Sequence, residues 1–217
     1  SYEITPYVTS KGDFFKGESD FTNAGGADLR TTLGPRLSLN ATINPDFGQV
    51  EADPAEVNLS AFETFFPEQR PFFIEGNQLL QGTGPGYYYS RRIGATPQGY
   101  ATGEVADSAD FLESPRYATI LGAAKLTGRT SSGMSIGALA AVTQREYANL
   151  YDMTTNSFDK VAVEPSTAYL VGRVQQEFGA SASTVGVTLT GLSRNFSDAE
   201  PLKQQMTSQA VSGGADW

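Results

Sequence analysis

From residue 183 onward the chain alternates cleanly. Val185, Val187 and Leu189 fall on one phase, and Thr184, Gly186, Thr188 and Thr190 on the other. That period of two is the signature of a strand with one apolar and one polar face. The stretch before it sets Leu170, Val174 and Phe178 against Arg173, Gln175 and Glu177. Ala180-Ser181-Ala182 joins these two runs as a tight hairpin, and Thr130-Ser131-Ser132 does the same for the β-like runs 117–129 and 133–147. Residues 148–165 and 197–206 are polar and read as longer loops, and 207–217 begin a further strand. Nearer the start, residues 1–9 read as a first strand and the Gly- and Asp-rich residues 12–27 as a turn or exposed loop. Residues 28–43 read as a second strand interrupted by Gly34-Pro35.

Alternation stops at Asn44-Pro45-Asp46. Residues 44–116 are dense in carboxylates, Phe, Pro and Gly, with basic patches at Arg70 and Arg91-Arg92. The stretch is too apolar for a solvated linker and too broken for a strand. It reads as an insert packed against, or inside, something larger. The organisation expected is therefore first strands over 1–43, a plug or constriction over 44–116, and further strands over 117–217.

Composition agrees with a β-rich chain. Of 217 residues only 18% are charged and 39% apolar, the balance falling to Gly, Ser, Thr, Ala and Asn. No apolar run reaches the ~18 residues of a membrane-crossing helix. Ser1 opens directly on strand-like alternation, so the expectation is a mature protein or an excised piece without a leader. With no Cys there is no disulfide framework or thiolate metal site, and with no His the usual general base and zinc ligand are missing. A net charge of −9 argues against nucleic acid as a partner. No cofactor is indicated.

Strands of about ten residues exceed the usual five or six. With short turns alternating with long loops, and with Tyr117, Tyr147, Tyr169, Phe178 and Phe196 near strand ends, they match an outer-membrane barrel. A soluble β-sandwich shares the alternation and is the rival. The pattern yields about seven strands, whereas bacterial barrels have an even number of at least eight, so the barrel is expected to continue beyond the chain.

Three runs carry a family resemblance: Asn44-Pro45-Asp46-Phe47-Gly48-Gln49-Val50-Glu51-Ala52-Asp53-Pro54, Phe65-Phe66-Pro67-Glu68-Gln69-Arg70-Pro71-Phe72-Phe73-Ile74-Glu75-Gly76, and Tyr89-Ser90-Arg91-Arg92-Ile93-Gly94. Ile120 to Arg129 and Tyr169 to Arg173 fit it too. The chain resembles an uncharacterised bacterial outer-membrane β-barrel family, found C-terminal to a family-nine carbohydrate-binding-like domain. Gln69 stands where that family usually has Lys, and the carbohydrate-binding-like domain is not in this stretch, which weakens any glycan role here. The resemblance implies an all-β, antiparallel transmembrane barrel in the outer membrane of a Gram-negative bacterium. Outer-membrane lipid is the implied partner, with other envelope proteins or glycans beside it.

The acids Asp46, Glu51, Asp53, Glu56, Glu63, Glu68 and Glu75 have three possible employments. Two could act as acid and base on a glycoside, at separations of ~5 Å or ~6.5–9.5 Å. Asn44, Asp46, Glu51 and Asp53 form a weak calcium set, since calcium takes six to eight oxygens. The third employment is capping and ion pairing, which Asp53-Pro54-Ala55-Glu56 favours as N-cap, Pro at N1 and acid at N3 of a short helix. Arg70, Arg91, Arg92, Arg116, Lys125 and Arg173 are the complementary set. Lys125 and Arg173 lie on the polar phase of their strands, where a charge lines a solute path or pairs with the insert's acids. Phe62, Phe65, Phe66, Phe72 and Phe73, with Tyr87-Tyr88-Tyr89, read as a plug core in preference to a sugar-stacking platform. Phe62, Phe65 and Phe66 have the i, i+3, i+4 spacing of one helix face. A channel or transporter-like barrel with a plugged lumen is the first functional expectation. A carboxylate-based hydrolase and a structural membrane scaffold are the alternatives.

Overall fold

A computed structural model describes residues 2–15, 18–45, 64–82, 86–99, 109–196 and 201–217, with the backbone alone over the strand residues between 11 and 22. Eleven strands account for most of it. They are β1 (Tyr2–Phe15), β2 (Glu18–Leu33), β3 (Leu37–Ile43), β4 (Phe111–Glu113), β5 (Ile120–Arg129), β6 (Met134–Thr143), β7 (Glu146–Asp152), β8 (Ser157–Glu164), β9 (Ser166–Phe178), β10 (Ser183–Asn195) and β11 (Gln209–Asp216). Two one-turn helices, α1 (Pro71–Ile74) and α2 (Leu202–Gln205), and 3-10 turns at Asn77–Leu79 and Ser90–Arg92 complete the described elements. The fold is all-β and antiparallel.

Eight strands form one sheet in the order β1-β2-β3-β5-β6-β9-β10-β11, and β4, β7 and β8 form a second. Connections at one end of the main sheet are short, at residues 34–36, 130–133 and 179–182. Gly34, Gly133 and Gly179 sit there with positive φ, as tight turns between strands require. The long connections 44–119, 144–165 and 196–208 leave from the other end. β1 and β2 also run past the last β2–β3 pair, Ala27 with Ile43, to Phe15 opposite Glu18.

Three expectations are corrected here. Residues 12–27 are not a loop but the paired arms of β1 and β2, because a ladder rests on backbone groups that Gly, Ser and Asp also supply. Residues 28–43 are not one interrupted strand but two, turned at Gly34. Residues 148–165 are not a loop but most of β7 and β8. There Ala148, Leu150 and Val163 are buried while Asn149, Asp159 and Lys160 are exposed, so the exposed polar positions hide the pattern.

The register separates two faces. One rung of cross-strand neighbours runs Ile4, Leu29, Ala41, Ala124, Ala140, Leu170, Gly191, Val211. The next runs Glu3, Arg30, Asn40, Lys125, Leu139, Val171, Thr190, Ser212, and points the opposite way. Among the described side chains, no charged residue of the main sheet falls on the outer, first face. It is open: Leu189 is 55% and Val211 76% exposed. The inner face carries Arg30, Lys125 and Arg173 and is covered by the segment between β3 and β5. The core lies between them, where Phe73, Leu80 and Ile93 of that segment pack on Ile120, Ala123, Leu139, Ala141 and Val171.

Gly137 makes this docking close. A Cβ there would lie 2.4 Å from the Leu79 carbonyl oxygen of the 3-10 turn, far inside contact distance. Gly137→Ala is expected to lower stability by ~1–3 kcal/mol, the usual cost of overpacking. Gly172→Ala on the outer face, where nothing lies within 4 Å, serves as its neutral control. Urea unfolding of both variants checks this, and equal midpoints would contradict the docking.

Candidate functional site

The insert is held to the sheet by a buried lysine. Lys125, on β5, is 1% exposed, and its ammonium donates to the carbonyl oxygens of Phe72 and Glu75. Those carbonyls are available for a local reason. Pro71 opens α1 at a position where its missing N–H and fixed φ cost nothing, and a helix this short leaves its carbonyls without intrahelical partners. The Phe72 ring also lies 4.9 Å from the ammonium, a cation–π contact. Beside this clamp the Glu75 carboxylate accepts from Arg30 on β2 at 2.5 Å. Both partners are about half exposed, so this pair adds only ~0–1 kcal/mol.

Within the insert, Glu68 and Arg70 make a second fixed point. Arg70 donates through Nε and Nη2 to the Glu68 carboxylate at 2.8 and 2.7 Å, and to the carbonyls of Ile93 and Ser90 at 2.7 and 2.9 Å. Its guanidinium lies 4.2 Å from the Phe73 ring centre. One arginine thus ties the start of α1 to the 3-10 turn at residue 90, twenty positions on. Burial alone would raise the Glu68 carboxyl. Hydrogen bonds from Arg70 and Ser90, with the Arg70 charge, overcome this and hold it below its ordinary value.

Aromatic groups follow the same architecture. Phe73 is buried and meets Phe72 edge-on at 5.1 Å. Phe65 is largely exposed and sits edge-on to Tyr89. The Tyr89 hydroxyl donates to the Phe66 carbonyl and accepts the Phe66 N–H. Arg91 donates to the Pro67 carbonyl at 2.8 Å and stands 5.7 Å over Phe66.

On the same inner face, nearer the β11 edge, Arg173, 3% exposed, reaches Thr188 at 2.7 Å, Gln175 at 2.9 Å and Asp216 at 2.6 Å. Among the described residues its ionic partner is Asp216 of β11. The insert's backbone still passes it closely, since a Cβ on Gly82 would lie 2.6 Å from its guanidinium.

Between the insert and strands β9 to β11 lies a cavity of about 230 Å³, lined in part by Tyr87, Tyr88, Tyr89, Arg92, Glu164, Tyr169 and Arg194. Glu164 is buried and accepts the Gln98 N–H at 3.0 Å, while its cross-strand neighbour Glu146 accepts the Thr119 N–H at 2.7 Å. Two buried carboxylates so fasten both flanks of the insert's later part to the second sheet. Burial pushes the Glu164 carboxyl up, against the Gln98 N–H and Arg194, with Glu146 adding to the rise. Burial and the Glu68 charge raise the Tyr88 phenol well above its ordinary value. Arg70 and the Ser90 hydroxyl oppose this, although Ser90 is not in hydrogen-bonding geometry. Arg194 donates to the Thr207 carbonyl at 2.9 Å.

The expected site residues are therefore dispersed. Glu75, Lys125, Phe72 and Phe73 come together at the clamp, Glu68, Arg70 and Arg91 within the insert, Arg92 at the cavity, and Arg173 beside β11. Asp46, Glu51, Asp53 and Phe62 lie outside the described residues. Asn44 is described: its φ is positive, and its side-chain amide donates to the Gly25 carbonyl at 2.9 Å, so it ends β3 as a turn residue. Among the described residues, no group of three or more acidic side chains is placed to hold a metal ion, and no helix is long and apolar enough to cross a membrane. Sequence reasoning missed Arg30, Asp216, Glu146, Glu164 and Arg194. Alternation within 146–164 was the one signal that could have brought in the two glutamates.

A family model for the domain of unknown function DUF5916 matches residues 2–201. The chain belongs to this family. No curated protein and no solved structure matches it. In this DUF5916 chain the family match spans the whole insert and every strand of the main sheet but β11, so clamp, second sheet and most of the cavity lie within the family's own extent.

The Glu68 shift has a definite sign. A carboxyl held below its unfolded value of 4.5 stabilises fully above that pH, and the contribution is lost as pH falls through the lowered folded value. The thermal midpoint should drop below pH 4.5 in the wild type and drop less in Glu68→Gln, which begins from a lower midpoint at pH 7. Identical pH slopes for the two proteins would contradict the assignment.

Proposed function

We propose that this chain is part of an outer-membrane β-barrel, channel or transporter-like, whose lumen is occupied by the segment between β3 and β5. The observation that carries this reading is the outer face of the main sheet. It extends over eight strands without a described charged side chain, and its large apolar residues are exposed. Exposed apolar patches of this extent mark a surface that meets another apolar phase. Lipid hydrocarbon is the phase that fits a face both apolar and uncharged across every strand, with polar and charged groups on the opposite face.

Three further features favour the reading. β9 and β10, at 13 residues each, exceed the ~9–11 residues of a tilted membrane strand. At the short-turn end Tyr2, Phe178 and Trp217 are exposed, as in the aromatic girdle of such barrels. β1 and β11 are each paired on one side only among the described residues, and closure by further strands would remove both edges. In this arrangement the insert faces the lumen, and Lys125 is the wall group that keeps it there.

The test compares the two faces in full-length protein assembled into phosphatidylcholine vesicles. Leu189→Arg, on the outer face, should reduce the assembled, protease-resistant fraction by the ~2–4 kcal/mol that a midplane arginine costs. Thr32→Arg, exposed on the inner face, should assemble as the wild type does. Normal assembly of Leu189→Arg would overturn the lipid-facing assignment.

A further inference from the structure

Strands β7 and β8 set two glutamates opposite one another. Glu146 and Glu164 are cross-strand partners at the end of the second sheet, and they are only 8% and 6% exposed. Directly opposed side chains leave the same face of a sheet, where like charges are unfavourable. Among the described residues, no ion pair reaches either carboxylate. Main-chain N–H groups of the insert are their partners instead. Glu164 accepts from Gln98 and Glu146 from Thr119. The two flanks of one stretch of the insert are thus fixed to the sheet by two acids that repel each other.

The charges around this pair do not cancel it. Arg194 of β10 acts on Glu164, but it also donates to the Thr207 carbonyl. Arg92 of the insert and the phenols of Tyr88 and Tyr169 share the cavity walls with Glu164. Phenols carry no charge below about pH 10. Beside Glu146, Arg145 donates to the Asn195 carbonyl at 3.2 Å. Arg116, just before Thr119, and Lys203, on α2 against β8, are exposed. Burial therefore dominates. It raises the Glu164 carboxyl, the Gln98 N–H and Arg194 oppose it, and Glu146 adds to the rise. The cavity of about 230 Å³ that Glu164 lines has room for several waters, a route by which its proton is exchanged.

We propose that Glu146 and Glu164 form an acid-tightened latch, in which protonation of Glu164 ends their repulsion and holds residues 98 and 119 of the insert more firmly. A neutral carboxyl still accepts the Gln98 N–H through its carbonyl oxygen, so the bond outlasts the charge. The doubly ionised pair is the loose state, because release of the flanks lets both carboxylates reach water. This regulation goes beyond the proposed function and holds whether or not the outer face meets lipid. It loosens the later half of the insert without touching the Lys125 clamp.

The direction follows from linkage. Glu164 in the docked state lies above its ordinary value of 4.5. Its contribution to docking is complete below pH 4.5 and is lost as pH rises through the raised value. One proton linked to release changes the ratio of docked to released flanks by up to ~10-fold per pH unit inside that window. The sense is opposite to that of Glu68, which weakens the insert in acid.

The test is hydrogen exchange of the Gln98 and Thr119 amides in full-length protein in a phosphocholine detergent, corrected for intrinsic rates. In the wild type, protection of both amides should rise as pH is lowered from about 8 to about 5, a span that brackets buried carboxyls. Glu164→Gln is neutral at every pH and keeps an acceptor oxygen, so it should hold the high protection throughout. Glu146→Gln removes a charge that adds to the rise, and should move the transition to lower pH. Wild-type protection that is flat or falls in acid would overturn the proposal, as would a pH slope that survives in Glu164→Gln. If Glu164→Gln does not fold, Glu146→Gln decides, and a transition at unchanged pH would overturn the latch.

Discussion

A lysine ammonium inside a sheet has to find acceptors. Lys125 lies on the inner rung between Asn40 and Leu139, and neither carries a negative charge. Leaving such a charge buried without partners costs ~3–5 kcal/mol. The carbonyls of Phe72 and Glu75 supply the partners, and they can do so only if α1 sits on the sheet at this one place. Everything else in the insert is arranged from there. Phe73 enters the core because α1 is pinned above it, Arg70 ties α1 to residues 90 and 93, and Leu79 descends onto Gly137.

The two faces of the sheet impose the complementary constraint. Alternation places every charge of the main sheet that is described on one side, where the insert attends to Arg30 and Lys125 and Asp216 of β11 to Arg173. The other side is left apolar and open. Contact of that open face with lipid is what the proposed function adds. Small residues on the inside make room for the insert: Gly137, Gly76, Gly82 and Gly214 stand where its backbone or Tyr87 comes within a few ångströms of the wall. The cavity beside Tyr88 is where this fit stops short of closing.

Much of this was legible in the chain itself. The strands from residue 117 to 147 and from 166 to 196, with their tight turns, follow from period-two alternation. So does the inward placement of Lys125 and Arg173, since each lies in phase with polar neighbours. The insert was visible as the place where alternation ends. What escaped were pairings between residues far apart in sequence. Nothing local to Arg173 points to Asp216, and nothing local to Glu75 points to Arg30, because those contacts are created by register across several strands. The clamp used main-chain carbonyls of Phe72 and Glu75, which carry no side-chain signature, so Lys125 was paired in expectation with carboxylates. The arms at 12–27 and the strands at 148–165 were hidden by Gly, Asp and Asn, residues that read as turns although their backbones pair as well as any.

The central claim, that the insert is held over the inner face and closes a membrane pore, is tested most directly by conductance. Full-length protein and a variant lacking residues 46–92, both assembled in a planar bilayer, should differ sharply. The wild type should be closed or nearly so, and the deletion should open a large, steady pore. Equal conductance of the two assembled forms, or none in either, would contradict the account.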